Sequence, residues 1–302
     1  MSAPADRATA GVGIDAVHLY PTTMNTYGDR GNVAALTRRA ALRGLAVDWH
    51  ALELGDEPPA SCDLVFMGGG QDRVQHAAAA DLARLRPWLA AVIDDGGVVF
   101  AVCAGLQLLG RRYVAADGSE LAGLGLLDLE TLAAKRGEWR LIGNVVAEVR
   151  DLAGQPGQAA AANAAAGGGA ATGAEGSGGA EQPRLLVGFE NHGGRTFLGA
   201  ARPLGRVLLG FGNNGQDGGE GVRAGRVIAT YLHGPVLPKN AWLTDHLLAL
   251  ALEHAHGGPL TPLAHPREDA AQGEAVLVAE RDARHRGRRG RAARRLRPGE
   301  VR

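Results

Sequence analysis

With only two cysteines in 302 residues, Cys62 and Cys103, the chain cannot build a disulfide framework. No apolar run approaches the roughly 18–20 residues that a membrane span needs, and the N-terminus lacks the charged-then-apolar pattern of a secretory leader. These absences point to a soluble, cytoplasmic protein with reduced thiols. Neither sign of charge dominates: 32 Lys and Arg stand against 32 Asp and Glu, which argues against a nucleic-acid partner. The distribution is uneven, however, because the segment 281–302 carries ten arginines against Asp282 and Glu300. A phosphate-binding loop of the form G-x-x-x-x-G-K-[ST] is missing too.

What is present alternates between two periods. "AVHLY" (16–20), "AVDWHALEL", "CDLVFMGGG" and "VVFAV" read as strands. Between them, "GNVAALTRRAALRGL", with Asn32 as N-cap, and "RVQHAAAADLARLRPWLAAVIDDGG" read as helices, and "AGLQLLGRRY" as a third. The alternation predicts an α/β fold with a mostly parallel sheet and helices on both faces. After Leu121 the texture becomes richer in strand, with "RVIATYLHGP" expected as a buried strand ending at His233 and "NAWLTDHLLALALEHAHGG" as a closing helix. Residues 1–13 read as a loose start and 14–258 as the folded domain. Within it, 153–183, almost all Ala, Gly and small polar residues, reads as a disordered insertion between two strands. The basic segment 259–302 reads as a disordered tail, either simply solvated or drawn to an anionic membrane surface.

The chemistry gathers around "GGVVFAVCAGLQLLG". A strand, a Cys between small residues and a following helix form the pattern of a nucleophile elbow. The dipole of a helix starting at Ala104 would favour a Cys103 thiolate, and the Ala104 N–H could hold an oxyanion. By itself the pattern leaves Cys103 open between a buried structural thiol and a nucleophile. "FMGGGQD" adds a glycine loop at a strand end, from which Gly69 or Gly70 could give a second oxyanion donor. A thiol also needs a base. His233, after an apolar strand and before Gly234-Pro235, fits that role, with His192 in "GFENHGGRT" as its rival. His76, His246, His254 and His256 read as packing or surface residues on helices.

"AVCAGLQLLG" with "YLHGP" resembles the class I glutamine amidotransferases, a flavodoxin-like fold in which a Cys attacks the side-chain amide of glutamine. Their usual Glu two residues after the His is replaced here by Pro235, as in the cobyric-acid-synthase-like branch. Within that branch, "LYPTTMNTYGDRGNV", "RLIGNV", "GFENHGGRT" and "GFGNNGQDGGEG" resemble the glutamine amidotransferase subunit of lipid II isoglutaminyl synthases, over about residues 16–253 apart from the 153–183 insertion. The resemblance implies Cys103 as nucleophile and His233 as base, with Gly70 and Ala104 as oxyanion donors. It implies glutamine binding by Arg140, Gly69 and Gln107, with no metal or cofactor in this chain. It further implies a heterodimer with a Mur-ligase-like subunit that carries ATP and Mg and presents lipid II, at the inner face of the membrane. With Pro235 unable to orient His233, an acid from the ligase subunit is expected to do so. The loop "MNTYGDRGN" is left with two readings: a turn and helix cap built on Asp29 and Asn32, or a border of the active site or of the partner surface. Competing functions are amidation of another acceptor, a stand-alone cysteine hydrolase, and a non-catalytic scaffold that keeps the elbow's shape.

Overall fold

The structure, a computed structural model, describes residues 12–295 apart from 71, 115–116, 136, 151–182 and 265. Its first half runs β1 (Gly13–Leu19), α1 (Arg30–Ala41), β2 (Ala46–Leu52), β3 (Leu64–Met67), α2 (Asp72–Asp94), β4 (Val98–Val102) and α3 (Ala104–Leu109). The second half is mostly strand. It contains β5 (Arg112–Val114), β6 (Glu120–Ala122), β7 (Leu129–Ala133), β8 (Leu141–Val149), β9 (Arg184–His192), β10 (Gly194–Leu198), β11 (Gly205–Leu209), β12 (Gly219–Glu220), β13 (Val222–Ala224) and β14 (Val227–Thr230). Three helices close the chain: α4 (Val236–Lys239), α5 (Ala241–His256) and α6 (Pro266–Arg295).

The main sheet has the order β13-β14-β4-β3-β1-β2. Its five strands β2, β1, β3, β4 and β14 are parallel, and β13 pairs antiparallel at the edge. Counting parallel strands alone, this is the 2-1-3-4-5 order of flavodoxin-like folds, whose ligands bind beyond the carboxyl ends of the strands. Central β3 and β4 are buried along their whole length, which is why they read as unbroken apolar runs. α1 and α5 pack on one another, as do α2 and α3.

Two four-stranded sheets, β10-β7-β5-β6 and β12-β11-β8-β9, account for the β-rich second half. β8 and β9 pair antiparallel from Leu141↔His192 to Val149↔Arg184, so they are the two arms of one hairpin. The 153–183 segment connects those arms, and apart from Pro183 it lies outside the described residues, as do residues 1–11.

Four expectations shift. α3 is one turn and a half long rather than ten residues, because Gly110 ends it: a Cβ there would lie 2.2 Å from Leu129 Cδ1. β14 stops at Thr230, three residues before His233. Asn32 does not cap α1; it sits inside that helix, and its Oδ1 accepts from the Leu237 N–H at the start of α4. The expected tail is helical over Pro266–Arg295 and packs on α4, β8 and β9. Ala279 is fully buried, Gln272 donates to Leu185 O and Asn240 Oδ1, and Glu268 pairs with Arg39. The arginines gave the segment a polar composition, but these few contacts on one face are enough to seat a helix.

Candidate active site

Four adjacent strands deliver the site. Beyond the carboxyl ends of β1, β3, β4 and β14 lie Asp29, Gly69, Cys103 and His233 in turn. All are buried, with His233 and Asp29 fully enclosed and Cys103 8 % exposed.

Cys103 has φ 51° and ψ −102°, the strained turn of a nucleophile elbow on a residue that carries a side chain. Its N–H donates to Thr230 O at 2.8 Å, so the elbow is tied to the last residue of β14. Close packing beneath it requires glycine at 105, where a Cβ would lie 2.9 Å from Met67 O and 3.2 Å from Gly68 O. As the first residue of α3, Ala104 has an N–H without an intrahelical acceptor.

His233 Nδ1 lies 3.2 Å from Asp29 Oδ1. The acid that the usual Glu position lacks therefore comes from this chain's own β1–α1 loop, which corrects the expectation of an acid from a ligase subunit. Asp29 Oδ2 accepts the Gly69 N–H at 2.7 Å, so one carboxylate fixes both the imidazole and the glycine loop. Pro235 has a packing role instead: it lies so close to Gly31 that a Cβ there would be 2.3 Å from Pro235 Cγ. That contact seats the start of α1, and with it Asp29, against the His233 segment. The signal for Asp29 was the "MNTYGDRGN" motif, but no spacing rule links residue 29 to residue 233; only the sheet order does.

The three side chains converge on Gly69. The point where its Cβ would lie is 2.5 Å from His233 Cε1, 3.2 Å from Asp29 Oδ2 and 3.4 Å from Cys103 Cβ. Burial works against a charged imidazole here, but the bond to Asp29 and the neighbouring Cys103 thiol outweigh it, and the His233 pKa is pushed up to about 10. Nε2 has no hydrogen bond of ordinary geometry. With Nδ1 on Asp29, Nε2 is the nitrogen left for the thiol, in the loose arrangement common before substrate binds. Tyr27, in a left-handed conformation (φ 57°), packs edge-on against His233 with centroids 5.0 Å apart.

The other expected residues divide. Gly69 spends its N–H on Asp29 and its missing side chain on making room, so it is not placed to donate to a ligand. Gly70 is half-buried at the end of the same loop. Arg140 is exposed at the rim, with Nε and Nη2 on Asn191 Oδ1 and O, and Asn191 in turn donates to the Tyr27 hydroxyl at 2.5 Å. Gln107 is buried and donates to the Tyr231 hydroxyl at 3.1 Å. The rival base His192 is buried as well, but its Nδ1 lies 2.8 Å from Gly194 O and its ring stacks on Tyr231. His254 bonds Asp63 and Asp95, His256 bonds Gly13 O, and the His76 side chain lies outside the described residues.

Behind the site is a buried polar wall. Tyr231 OH meets Thr196 Oγ1, which meets Thr131 Oγ1. Glu190 accepts the Phe211 and Gly212 N–H groups, and Glu220 accepts Thr230 Oγ1–H and the Tyr231 N–H. Burial raises the Glu220 pKa to about 7 against the lowering effect of those two donors, with nearby Glu190 adding to the rise. Among the described residues no group of His, Cys, Asp and Glu is arranged to hold a metal, and no helix is long and apolar enough to cross a membrane.

Residues 15–241 match the CobB/CobQ-like glutamine amidotransferase domain. The chain is 36% identical over 264 residues to the lipid II isoglutaminyl synthase (glutamine-hydrolyzing) subunit GatD of Staphylococcus aureus, covering 86% of this chain and 93% of that protein. It is 35% identical to the protein of the same name from Streptococcus pneumoniae, covering 81% and 82%. A cobyric acid synthase of Brucella melitensis is 31% identical over 219 residues, 69% of this chain and 36% of its own length. On this evidence the chain belongs to the CobB/CobQ-like glutamine amidotransferase family.

Proposed function

We propose that this chain is the glutaminase subunit of a lipid II isoglutaminyl synthase. The observation that carries the reading is the buried Asp29–His233–Cys103 arrangement at the carboxyl edge of the parallel sheet. Asp29 holds Nδ1 and keeps the imidazole charged beside the thiol, which favours a thiolate–imidazolium pair. The Cys103 thiolate attacks the side-chain amide carbon of L-glutamine, and the Ala104 and Gly70 N–H groups receive the developing oxyanion. His233 passes its proton to the leaving nitrogen, and ammonia departs. Water, deprotonated by His233, then cleaves the thioester to give glutamate and restores the thiolate. Arg140, at the rim, suits the substrate α-carboxylate, because a guanidinium can pair with it bidentately.

The ammonia would pass to a Mur-ligase-like partner in a heterodimer. With ATP and Mg, that partner would activate the D-glutamate α-carboxylate of lipid II for conversion to D-isoglutamine in peptidoglycan synthesis, at the cytoplasmic face of the membrane. Because the acid is in this chain, the purified chain alone should release ammonia from L-glutamine, and Cys103→Ala should abolish the release. Ammonia release that survives Cys103→Ala would overturn the assignment. To test the acceptor, the two subunits are combined with lipid II, ATP and glutamine; absence of amidated lipid II would overturn that half of the reading.

A further inference from the structure

The motif "GFGNNGQDGGEG" takes no part in the chemistry above, yet its penultimate residue, Glu220, is a fully buried carboxylate on β12. β14 leaves the sheet at Thr230, and His233 rejoins ordered pairing only through its two backbone bonds with Phe189, at 2.7 and 3.2 Å. Between them, Tyr231 and Leu232 have buried N–H groups and, among the described residues, no backbone acceptor. Such groups must be satisfied or the exit would open. Glu220 Oε1 accepts the Tyr231 N–H at 2.9 Å and the Thr230 hydroxyl at 2.7 Å. Thr230 Oγ1 in turn accepts the Leu232 N–H at 3.0 Å. The same Thr230 offers its carbonyl to the Cys103 N–H. One carboxylate oxygen therefore fixes, directly or through one hydroxyl, the strand exit that carries His233 and the residue that anchors the elbow.

We propose that Glu220 is a positioning residue for the Cys103–His233 pair, acting through Thr230 and Tyr231 and touching no substrate. The proposal rests on reading Cys103 and His233 as nucleophile and base. Its distinguishing feature is that an acceptor oxygen, not a charge, is required. Glu220→Gln keeps an acceptor at that position, whereas Glu220→Leu removes it at similar volume.

The test uses the full chain and two readouts: glutamine hydrolysis, and the pH profile of Cys103 alkylation by iodoacetamide. The second needs no substrate, so it separates failure of this proposal from failure of the glutaminase reading. Glu220→Leu is expected to lower kcat by about 10²-fold with KM little changed, and to slow alkylation near neutral pH, as loss of transition-state geometry predicts. Glu220→Gln should restore both to within about threefold. Should Glu220→Leu fail to fold, Thr230→Val, which deletes only the hydroxyl relay, decides: a slowed, shifted alkylation profile supports the proposal and an unchanged one overturns it. A folded Glu220→Leu with a normal alkylation profile also overturns it, as does a Glu220→Gln variant that loses as much as the Leu variant.

Discussion

Two fully buried carboxylates bear on His233, one from each half of the molecule, and their partners differ. Asp29, from the β1–α1 loop, meets an imidazole that can carry charge, and one backbone N–H. Glu220, from β12, meets a neutral hydroxyl and a neutral amide. A buried carboxylate is favourable only where a charge partner offsets its desolvation. At Asp29 that partner exists, and the His233 pKa rises to about 10. At Glu220 it does not, and the carboxyl itself is pushed up to about 7. The front of the site uses charge for chemistry, while the back uses acceptor oxygens for geometry.

The most severe way to break the front is steric. Gly69→Ala places a methyl 2.5 Å from His233 Cε1 and 3.4 Å from Cys103 Cβ, both of them held by other contacts. The imidazole must leave Asp29 or the glycine loop must move. Glutaminase activity should fall by about 10³-fold or more, in line with the sensitivity of catalysis to roughly ångström-scale misplacement. Melting temperature should fall as well, because the displaced imidazole loses the Asp29 contact that raises its pKa.

Asp29→Asn removes the charge and keeps the shape. Burial, which opposes the protonated ring, is then countered by Cys103 alone, and the His233 pKa falls. In the unaltered chain the stabilisation from protonated His233 is complete below about pH 6.5, the ordinary histidine value, and is lost only as pH rises through about 10. The variant should lose the part of that contribution that Asp29 supplies. Its kcat should drop about 10²–10⁴-fold, and Cys103 alkylation should become slow at pH 7. Fast alkylation of the variant at pH 7 would show that Asp29 is not what charges the ring.

The asymmetry between the two carboxylates also governs what the sequence reveals. Cys103 and the parallel strands around it are legible because elbow, apolar run and glycine stop are local patterns. His233 is legible as a candidate because a strand-like run leads to it. Asp29 is not, since its partner lies 204 positions away and only the order β1-β3-β4-β14 brings them together. Pro235 shows the same limit: in sequence it marks a missing acid, and in the fold it packs on Gly31 beside the acid that replaces it. The length of β14 was misread for a related reason. "VIATYLH" is largely apolar, but Glu220 and Thr230 take over the backbone bonds where the sheet stops, and apolar periodicity does not register such a handover. Helix α6 escaped notice because its apolar contacts are few against a basic background.

The back wall gives the gentlest and most discriminating test. Ionising Glu220 in the folded state is disfavoured relative to the unfolded chain, so its contribution to stability is full below about pH 4.5 and declines as pH rises to about 7. Glu220→Gln removes that titration. At pH 8 the variant should be more stable than the unaltered chain by about 3 kcal/mol at most, and the difference should vanish below pH 4.5. The new amide nitrogen takes the place of Glu220 Oε2, which has no hydrogen-bond partner, so any cost of an unpartnered buried donor subtracts from that gain. Denaturant unfolding at the two pH values measures this directly. A stability gain at pH 8 with kcat preserved would separate Glu220, whose oxygen matters, from Asp29, whose charge matters. A loss at pH 8 would mean that Glu220 is ionised and paired after all, and the contrast between front and back would collapse.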